Sequence, residues 1–223
     1  MEISWYGLSC FRITERKHAT VVTDPYDSGL GLPSLKLKAD IITVSHDAKG
    51  HNRPEVVSGY QHVLTGPGEY EIGNVFITGI ATPGEANHAP NVIYVFDYDG
   101  LTVAHLGDMQ KVPTQTQIEA LEEVSVLLLP VGGGNSLNAA QASELVSMIE
   151  PNIVIPMHYQ LPNLSIELDA VDRFLKEMGV TEPKEESVLK ISLAIYQKNR
   201  DHLVNAPHII VFGIDGILWQ PNF

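Results

Sequence analysis

The chain has 223 residues and a mass of 24.5 kDa, a length that fits one large domain or two small ones. Hydrophobic residues make up 44% and charged residues 18%, a globular composition that excludes disordered and collagen-like chains. With 14 basic and 27 acidic residues, the net charge is −13. Because an acidic surface repels phosphate backbones, we expect no nucleic-acid partner.

Cys10 is the only cysteine, so no disulfide can form within the chain, as is typical of a reducing cytoplasm. The first residues lack the charged segment and apolar run of a signal peptide. No apolar stretch approaches the ~20 residues that span a bilayer. We therefore expect a cytoplasmic protein that makes no membrane contact.

The first half of the sequence predicts short strands. Runs rich in β-branched residues at 20–23, 41–44 and 75–77 end in turn residues. The dipeptides at 73–74 (Gly-Asn) and 99–100 (Asp-Gly) each separate two such runs, and this spacing predicts two β-hairpins.

The second half alternates helix and strand. Thr114 and Asn138 each have a glutamine three residues further on, and these capping boxes predict the starts of two helices. A third helix is predicted over 171–178, ending at Gly179. Apolar runs predict strands that complete one sheet, at residues 126–129, 153–155, 188–189 and 208–212. No linker interrupts this pattern, so we predict a single α/β domain over residues 1–223.

Histidines and an aspartate follow predicted strands at three places: residues 45–52, 105–108 and 155–159. The carboxyl ends of strands are where α/β sheets assemble their sites, and imidazole with carboxylate can ligate zinc or iron. Taken singly, each such histidine is more often a hydrogen-bonded surface residue. The glycine run at 132–134 is read as a flexible loop, because no Lys-Ser/Thr pair follows it as in a phosphate-binding loop.

The order of these segments resembles the metallo-β-lactamase superfamily, specifically small bacterial metal-dependent hydrolases near the ascorbate-6-phosphate lactonases. The matching segments are residues 5–11 (WYGLSCF), 23–26 (TDPY), 99–108 (DGLTVAHLGD), 130–133 (PVGG) and 155–159 (IPMHY). The resemblance covers most of the chain and implies an α/β fold of four layers, an αβ/βα sandwich. In the first segment Leu8 stands where the family has a histidine.

The chain departs from the superfamily's metal-binding signature, H-x-H-x-D-H. His46 and His51 keep the outer histidines, but Ala48 and Gly50 stand where the family has a histidine and an aspartate. Gly84 stands at the family's next histidine ligand. None of these three side chains can ligate a metal.

The resemblance implies an uneven loss of ligands. Of the residues that hold the family's first metal, His46 alone remains. Of those that hold the second, His51 and His158 remain, together with Asp108, which in the family bridges both metals. We therefore predict at most a mononuclear site, with one Zn, Fe or Mn ion on His51, Asp108 and His158 and with His46 nearby.

With a metal bound, the resemblance implies a lactonase-like hydrolase of a small lactone, ester or phosphoester. Asp108 would orient the attacking hydroxide, and Tyr159 would donate a hydrogen bond to the developing oxyanion. His88, four residues after Gly84, could replace a lost ligand.

The alternative is a metal-free pseudoenzyme that binds a small molecule or serves in assembly. In that case Lys49 could balance the charge of Asp108, although a lysine on a loop more often points to solvent. The apolar residues of the segment 216–223 fit either the interface of a homo-oligomer or packing on the chain's own core.

Overall fold

The computed structural model describes residues 1–82, 90–200 and 207–213. The strands of these residues are β1 (Glu2–Trp5), β2 (Phe11–Thr14), β3 (Val21–Thr23), β4 (Leu37–Lys38), β5 (Ile41–Thr43), β6 (Val57–Ser58), β7 (His62–Leu64), β8 (Gly68–Ile72), β9 (Val75–Thr82), β10 (Asn91–Tyr98), β11 (Leu101–His105), β12 (Val126–Pro130), β13 (Ile153–Met157), β14 (Lys184–Glu186), β15 (Leu189–Lys190) and β16 (His208–Phe212). The α-helices are α1 (Gln115–Glu119), α2 (Ala139–Ile149), α3 (Val171–Glu177) and α4 (Leu193–Arg200), and short 3₁₀ helices form at Ser28–Leu30 and Pro54–Val56.

Most strands belong to two mixed sheets. The smaller sheet has the order β15-β1-β2-β3-β5-β7, the larger has the order β14-β16-β13-β12-β11-β10-β9-β8, and β4 with β6 forms a two-stranded ribbon. In the larger sheet β11, β12 and β13 run parallel, and the connections between them contain α1 and α2 because parallel neighbours need a crossover.

Both predicted hairpins are confirmed. Ile72 pairs with Val75 across the first turn, and Tyr98 pairs with Leu101 across the second. All four turn residues have positive φ angles, between 54° and 88°. This is the conformation of a two-residue turn whose twist matches the flanking strands.

The predicted helix starts are also confirmed. The side chains of Thr114 and Asn138 accept hydrogen bonds from the backbone N–H of Gln117 and Gln141, and both capping boxes are complete. Helix α3 ends just before Gly179, whose φ is 67°, as a left-handed helix terminus requires.

Two features differ from the prediction. The run at 188–189 was expected to complete the same sheet as 208–212, but β15 pairs with β1 in the smaller sheet. A run this short does not encode which sheet it joins. Helix α4 has no counterpart in the prediction, and over its described side chains, residues 193–197, few are buried. Tyr196 holds the helix through hydrogen bonds from its hydroxyl to Glu123 and Asn152.

The two sheets face each other across a buried aromatic core. The ring of Phe11 on β2 lies 6.3 Å from that of Phe212 on β16 and 6.2 Å from that of His105 on β11. His105 Nε2 also bonds to the carbonyl of Ser9 at 2.9 Å. These contacts join one sheet to the other, and the predicted α/β sandwich is the observed arrangement.

Among the helices of the described residues, none has the length and apolar character needed to cross a bilayer.

The loops that follow the parallel strands β12 and β13 pass close to each other. A Cβ added to Gly132 would lie 2.0 Å from the carbonyl oxygen of His158. A glycine is therefore required where the loop after β12 crosses the loop after β13.

We expect Gly132→Ala to lower the free energy of unfolding by about 2 kcal/mol or more, because the added methyl group meets backbone that cannot move aside. Gly66→Ala is the matched control, since a Cβ there meets nothing within 4 Å. Urea unfolding of both variants tests this, and equal stabilities would contradict the close approach.

Candidate metal centre

Three strand ends bring the predicted metal ligands together. One ligand atom each of His46, His51 and Asp108 lies within 4.8 Å of the others. His158 completes the group, with its Nε2 at 3.3 Å from His51 Nε2 and its Nδ1 at 3.5 Å from Asp108 Oδ1. The structure thus places the four predicted ligands, from three loops distant in sequence, in one cluster.

Asp24 orients His51. Asp24 is fully buried, and its Oδ2 accepts hydrogen bonds from His51 Nδ1 at 2.9 Å and from Ser45 Oγ at 2.6 Å. Its Oδ1 accepts from the backbone N–H of Ser45 at 2.7 Å. Because Nδ1 donates to Asp24, His51 Nε2 keeps its lone pair facing the cluster, which is the arrangement of a histidine ligand held by a carboxylate.

The pKa of Asp24 lies at about 2. Burial alone would raise it, but the hydrogen bond from His51 and the neighbouring imidazoles favour the charged form more strongly. Asp24 is therefore an anion at neutral pH. For the same reason the pKa of His51 is raised, since burial lowers it but the Asp24 carboxylate outweighs burial.

Asn91 positions the loop that carries Asp108. Its Oδ1 accepts a hydrogen bond from the Asp108 N–H at 3.0 Å, and its Nδ2 donates to the carbonyl of Leu106 at 3.0 Å. The Asp108 pKa is lowered: burial opposes ionisation, but His158, His51 and His46 around the carboxyl favour it.

Two polar atoms of the cluster lack a hydrogen-bond partner among the described residues. Asp108 Oδ1 and His158 Nδ1 are buried and make no hydrogen bond within the described part of the chain. Unsatisfied buried polar atoms are costly, and a ligated cation satisfies a carboxylate oxygen and an imidazole nitrogen together. Three imidazoles with one carboxylate suit Zn, Fe or Mn, so the residues present fit a metal ion.

His46 and His158 also favour the neutral form that metal binding needs. Burial and the nearby His51 lower the pKa of His46 to about 4. The pKa of His158 is lowered, with burial as the largest cause.

The signature's lost aspartate position is filled by aliphatic packing. Gly50 has a φ of 98°, and a Cβ there would lie 3.1 Å from Leu30 Cδ1 and 3.3 Å from Leu8 Cδ1. Leu8, which stands where the resemblance has a histidine, is fully buried. Gly50 and Leu8 are neighbours in space, and where the resemblance expects polar groups at these two positions, the chain has hydrocarbon.

The cluster forms one wall of a cavity of about 480 Å³. Residues 47–49 and 166–168 form further parts of its lining. Lys49 is exposed at the rim, and its charge acts on the carboxyl of Asp27, whose pKa is lowered chiefly by Arg53. Lys49 is thus exposed, as a lysine on a loop more often is, and the charges that act on the Asp108 carboxyl come from three imidazoles; the alternative in which Lys49 balances Asp108 stays a prediction.

Tyr159 is not brought to the cluster. Its ring is buried 5.1 Å from the ring of Trp5, it does not line the cavity, and its pKa is raised by burial and by Glu185. The chain turns after β13 at His158, whose φ is 52°, so that His158 faces the cluster while Tyr159 faces the core. Gly84, His88 and the segment 216–223 lie outside the described residues.

Two residues of the site had no role in the sequence-based prediction. Asp24 lies in the T-D-P segment, and its position at the end of a buried strand was the available signal. Asn91 belongs to no recognised motif; its contact with Asp108 exists only once β10 and β11 pair.

Comparison with known proteins identifies the family. A model described as the β-lactamase superfamily domain matches residues 2–158. A UPF0173 protein of Pyrococcus furiosus is 27% identical over 71% of this chain and 83% of its own length. A UPF0173 metal-dependent hydrolase of Thermoplasma acidophilum is 30% identical, again over 71% of this chain and 83% of the relative.

A solved structure from Thermotoga maritima agrees. It is described as a candidate Zn-dependent hydrolase of the metallo-β-lactamase superfamily, and it superposes with a TM-score of 0.75 at 30% identity, over 95% of this chain and 97% of the other. The expected αβ/βα sandwich is thereby confirmed. The descriptions of these three relatives give no substrate, and the expected lactonase branch stays a prediction.

The buried neutral histidines predict the pH dependence of stability. In metal-stripped protein, unfolding raises the pKa of His46 from about 4 to its ordinary value of about 6.5. Between these two values the unfolded chain binds more protons, so stability falls as the pH falls. The free energy of unfolding, measured with urea from pH 7 to pH 4, should depend less steeply on pH in His46→Gln than in the unmodified chain. The control is the replacement of the exposed His62 by glutamine. An equal change in the pH dependence of this control would contradict the lowered pKa of His46.

Proposed function

Since this chain belongs to the β-lactamase superfamily, we propose that it is a metal-dependent hydrolase with a depleted site that holds at most one metal ion. The observation that supports the proposal is the cluster of His46, His51, Asp108 and His158 on the wall of a cavity. Ala48 and Gly50 contribute no ligand atom beside it, so the donors for a second ion are missing.

His51 and His158 approach each other through their Nε2 atoms, and Asp108 lies beside His158. His46 is equally part of the cluster, with its Nε2 at 3.9 Å from Asp108 Oδ2 and its ring centroid 4.3 Å from that of His51. From the ligand set that the resemblance implies, we infer that His51, His158 and Asp108 hold the ion and that His46 lies beside it.

When bound, a metal ion supplies Lewis acidity and a water whose pKa is lowered towards 7. The chain's own residues do the rest. Asp108 holds and orients a water through its carboxylate oxygens, and Asp24 keeps the donor proton of His51 on Nδ1. The cavity limits the substrate to a small molecule, and we propose hydrolysis of a small lactone, ester or phosphoester. Tyr159 takes no part in this scheme because its ring faces the core.

A second candidate is a metal-free pseudoenzyme that binds a small molecule in the same cavity. The packing of Leu8 and Leu30 against Gly50 favours it, because aliphatic side chains have replaced part of the family's site. The two candidates differ in one measurable property, the content of bound metal.

Elemental analysis of protein grown with ample zinc, iron and manganese tests the first candidate. We expect about one metal ion per chain, and none in the His51→Ala/His158→Ala double variant or in Asp108→Ala, since each removes ligands that the ion requires. His62→Ala serves as the control and should keep the metal. Two ions per chain would contradict the depleted site, and no metal in the unmodified protein would favour the pseudoenzyme.

Restoring one carboxylate should not rebuild the family's site. Gly50→Asp is expected to lower the free energy of unfolding by about 2 kcal/mol, from its positive φ and from crowding against Leu30, without raising the metal content. Gly100→Asp is matched in backbone angle, with a φ of 88° and nothing near its Cβ, and should cost less. A second bound ion in Gly50→Asp would show that crowding does not exclude ligation.

A further inference from the structure

The side chains that line the cavity carry a negative balance. Asp47, Asp108 and Glu167 contribute three carboxylates, and Lys49 contributes the one ammonium of the described lining, so these four side chains have a net charge of −2.

Lys49 is the one ammonium of the described lining. Its side chain is exposed, where water screens a single charge, and part of its field acts on the carboxyl of Asp27. The described lining does not offer the paired guanidinium donors that phosphate and carboxylate groups prefer. Its other side chains include the amides of Gln110 and Asn135 and the hydrocarbon of Ile166 and Leu168.

This balance has a consequence for the substrate. Two positive charges from a single divalent ion would match the net −2 of these side chains, whereas an anionic substrate would add negative charge to a described lining in which Lys49 is the one cation. Asp47 and Glu167 would repel such a substrate, because a cleft focuses the field of the charges that line it.

We propose that the substrate is an uncharged small ester or lactone, and that the cavity discriminates against phosphorylated and carboxylated analogues. Its polar part would meet Gln110 and Asn135, and its apolar part Ile166 and Leu168. This inference rests on the proposed hydrolase function and narrows it, because it removes the phosphoester from the three reaction classes named above.

Two p-nitrophenyl esters of adipic acid test the inference in metal-loaded protein. In one the second carboxyl is a methyl ester, and in the other it is free and ionised. The esters share the reacting carbonyl and leaving group and differ by one remote negative charge. After division by the uncatalysed rates, kcat/KM should favour the neutral ester about tenfold. Millimolar inorganic phosphate should not inhibit its hydrolysis.

The double variant Asp47→Asn/Glu167→Gln should shift this preference. Removing two carboxylates should raise the ratio of anionic to neutral kcat/KM about fivefold or more. The control, Glu144→Gln/Glu177→Gln, removes the same charge from exposed positions on α2 and α3 and should leave the ratio unchanged.

Different outcomes would contradict the preference for uncharged substrates and the hydrolase activity on which it rests. A preference for the anionic ester, tight inhibition by phosphate, or an equal shift in the control would overturn the inference while the hydrolase stands. No hydrolysis of either ester by protein with about one metal per chain would overturn the proposed function, and the inference with it.

Discussion

The candidate site depends on one buried anion. Asp24 is fully enclosed, and a carboxylate without water is costly unless hydrogen bonds replace its hydration. Ser45 supplies two of those bonds and His51 a third, all from the loop that follows β5. The parallel pairing of β3 with β5 brings that loop beside Asp24. The bonds that satisfy the carboxylate are thus the same bonds that fix the loop and turn His51 towards the cluster.

A second connection runs through the backbone of Leu8. Its carbonyl accepts hydrogen bonds from Trp5 Nε1 at 2.9 Å and from the N–H of His158 at 3.1 Å. The leucine side chain has no nitrogen to offer, yet the backbone at this position still holds His158 in place. A backbone carbonyl makes this hydrogen bond, and a change of side chain does not remove it.

The proposed discrimination between charged and uncharged substrates depends on different residues from those that hold the metal ligands together. The cluster is buried and assembled by hydrogen bonds, so it is insensitive to the surface charge. Asp47 and Glu167 are exposed, where single charges contribute little to folding. Their positions at the mouth of the cavity can therefore set which molecules enter without affecting how the fold is held together.

The sequence by itself determined the hairpins, the capped helices and the strands that precede each predicted ligand, because turn residues, capping boxes and apolar runs act over a few neighbouring residues. It also predicted which ligand positions remain, since the resemblance places Ala48 and Gly50, whose side chains have no donor atom, at two of the family's ligand positions.

Only the tertiary structure decided where those pieces meet. The direction of Tyr159 depends on how the chain turns at His158, whose φ is 52°. The sheet that β15 joins depends on β1, far away in sequence. The role of Asn91 depends on the loop after β11. Each of these three features depends on contacts between segments that are distant in sequence. Such contacts form only when the two sheets pack, so a local sequence pattern does not predict them.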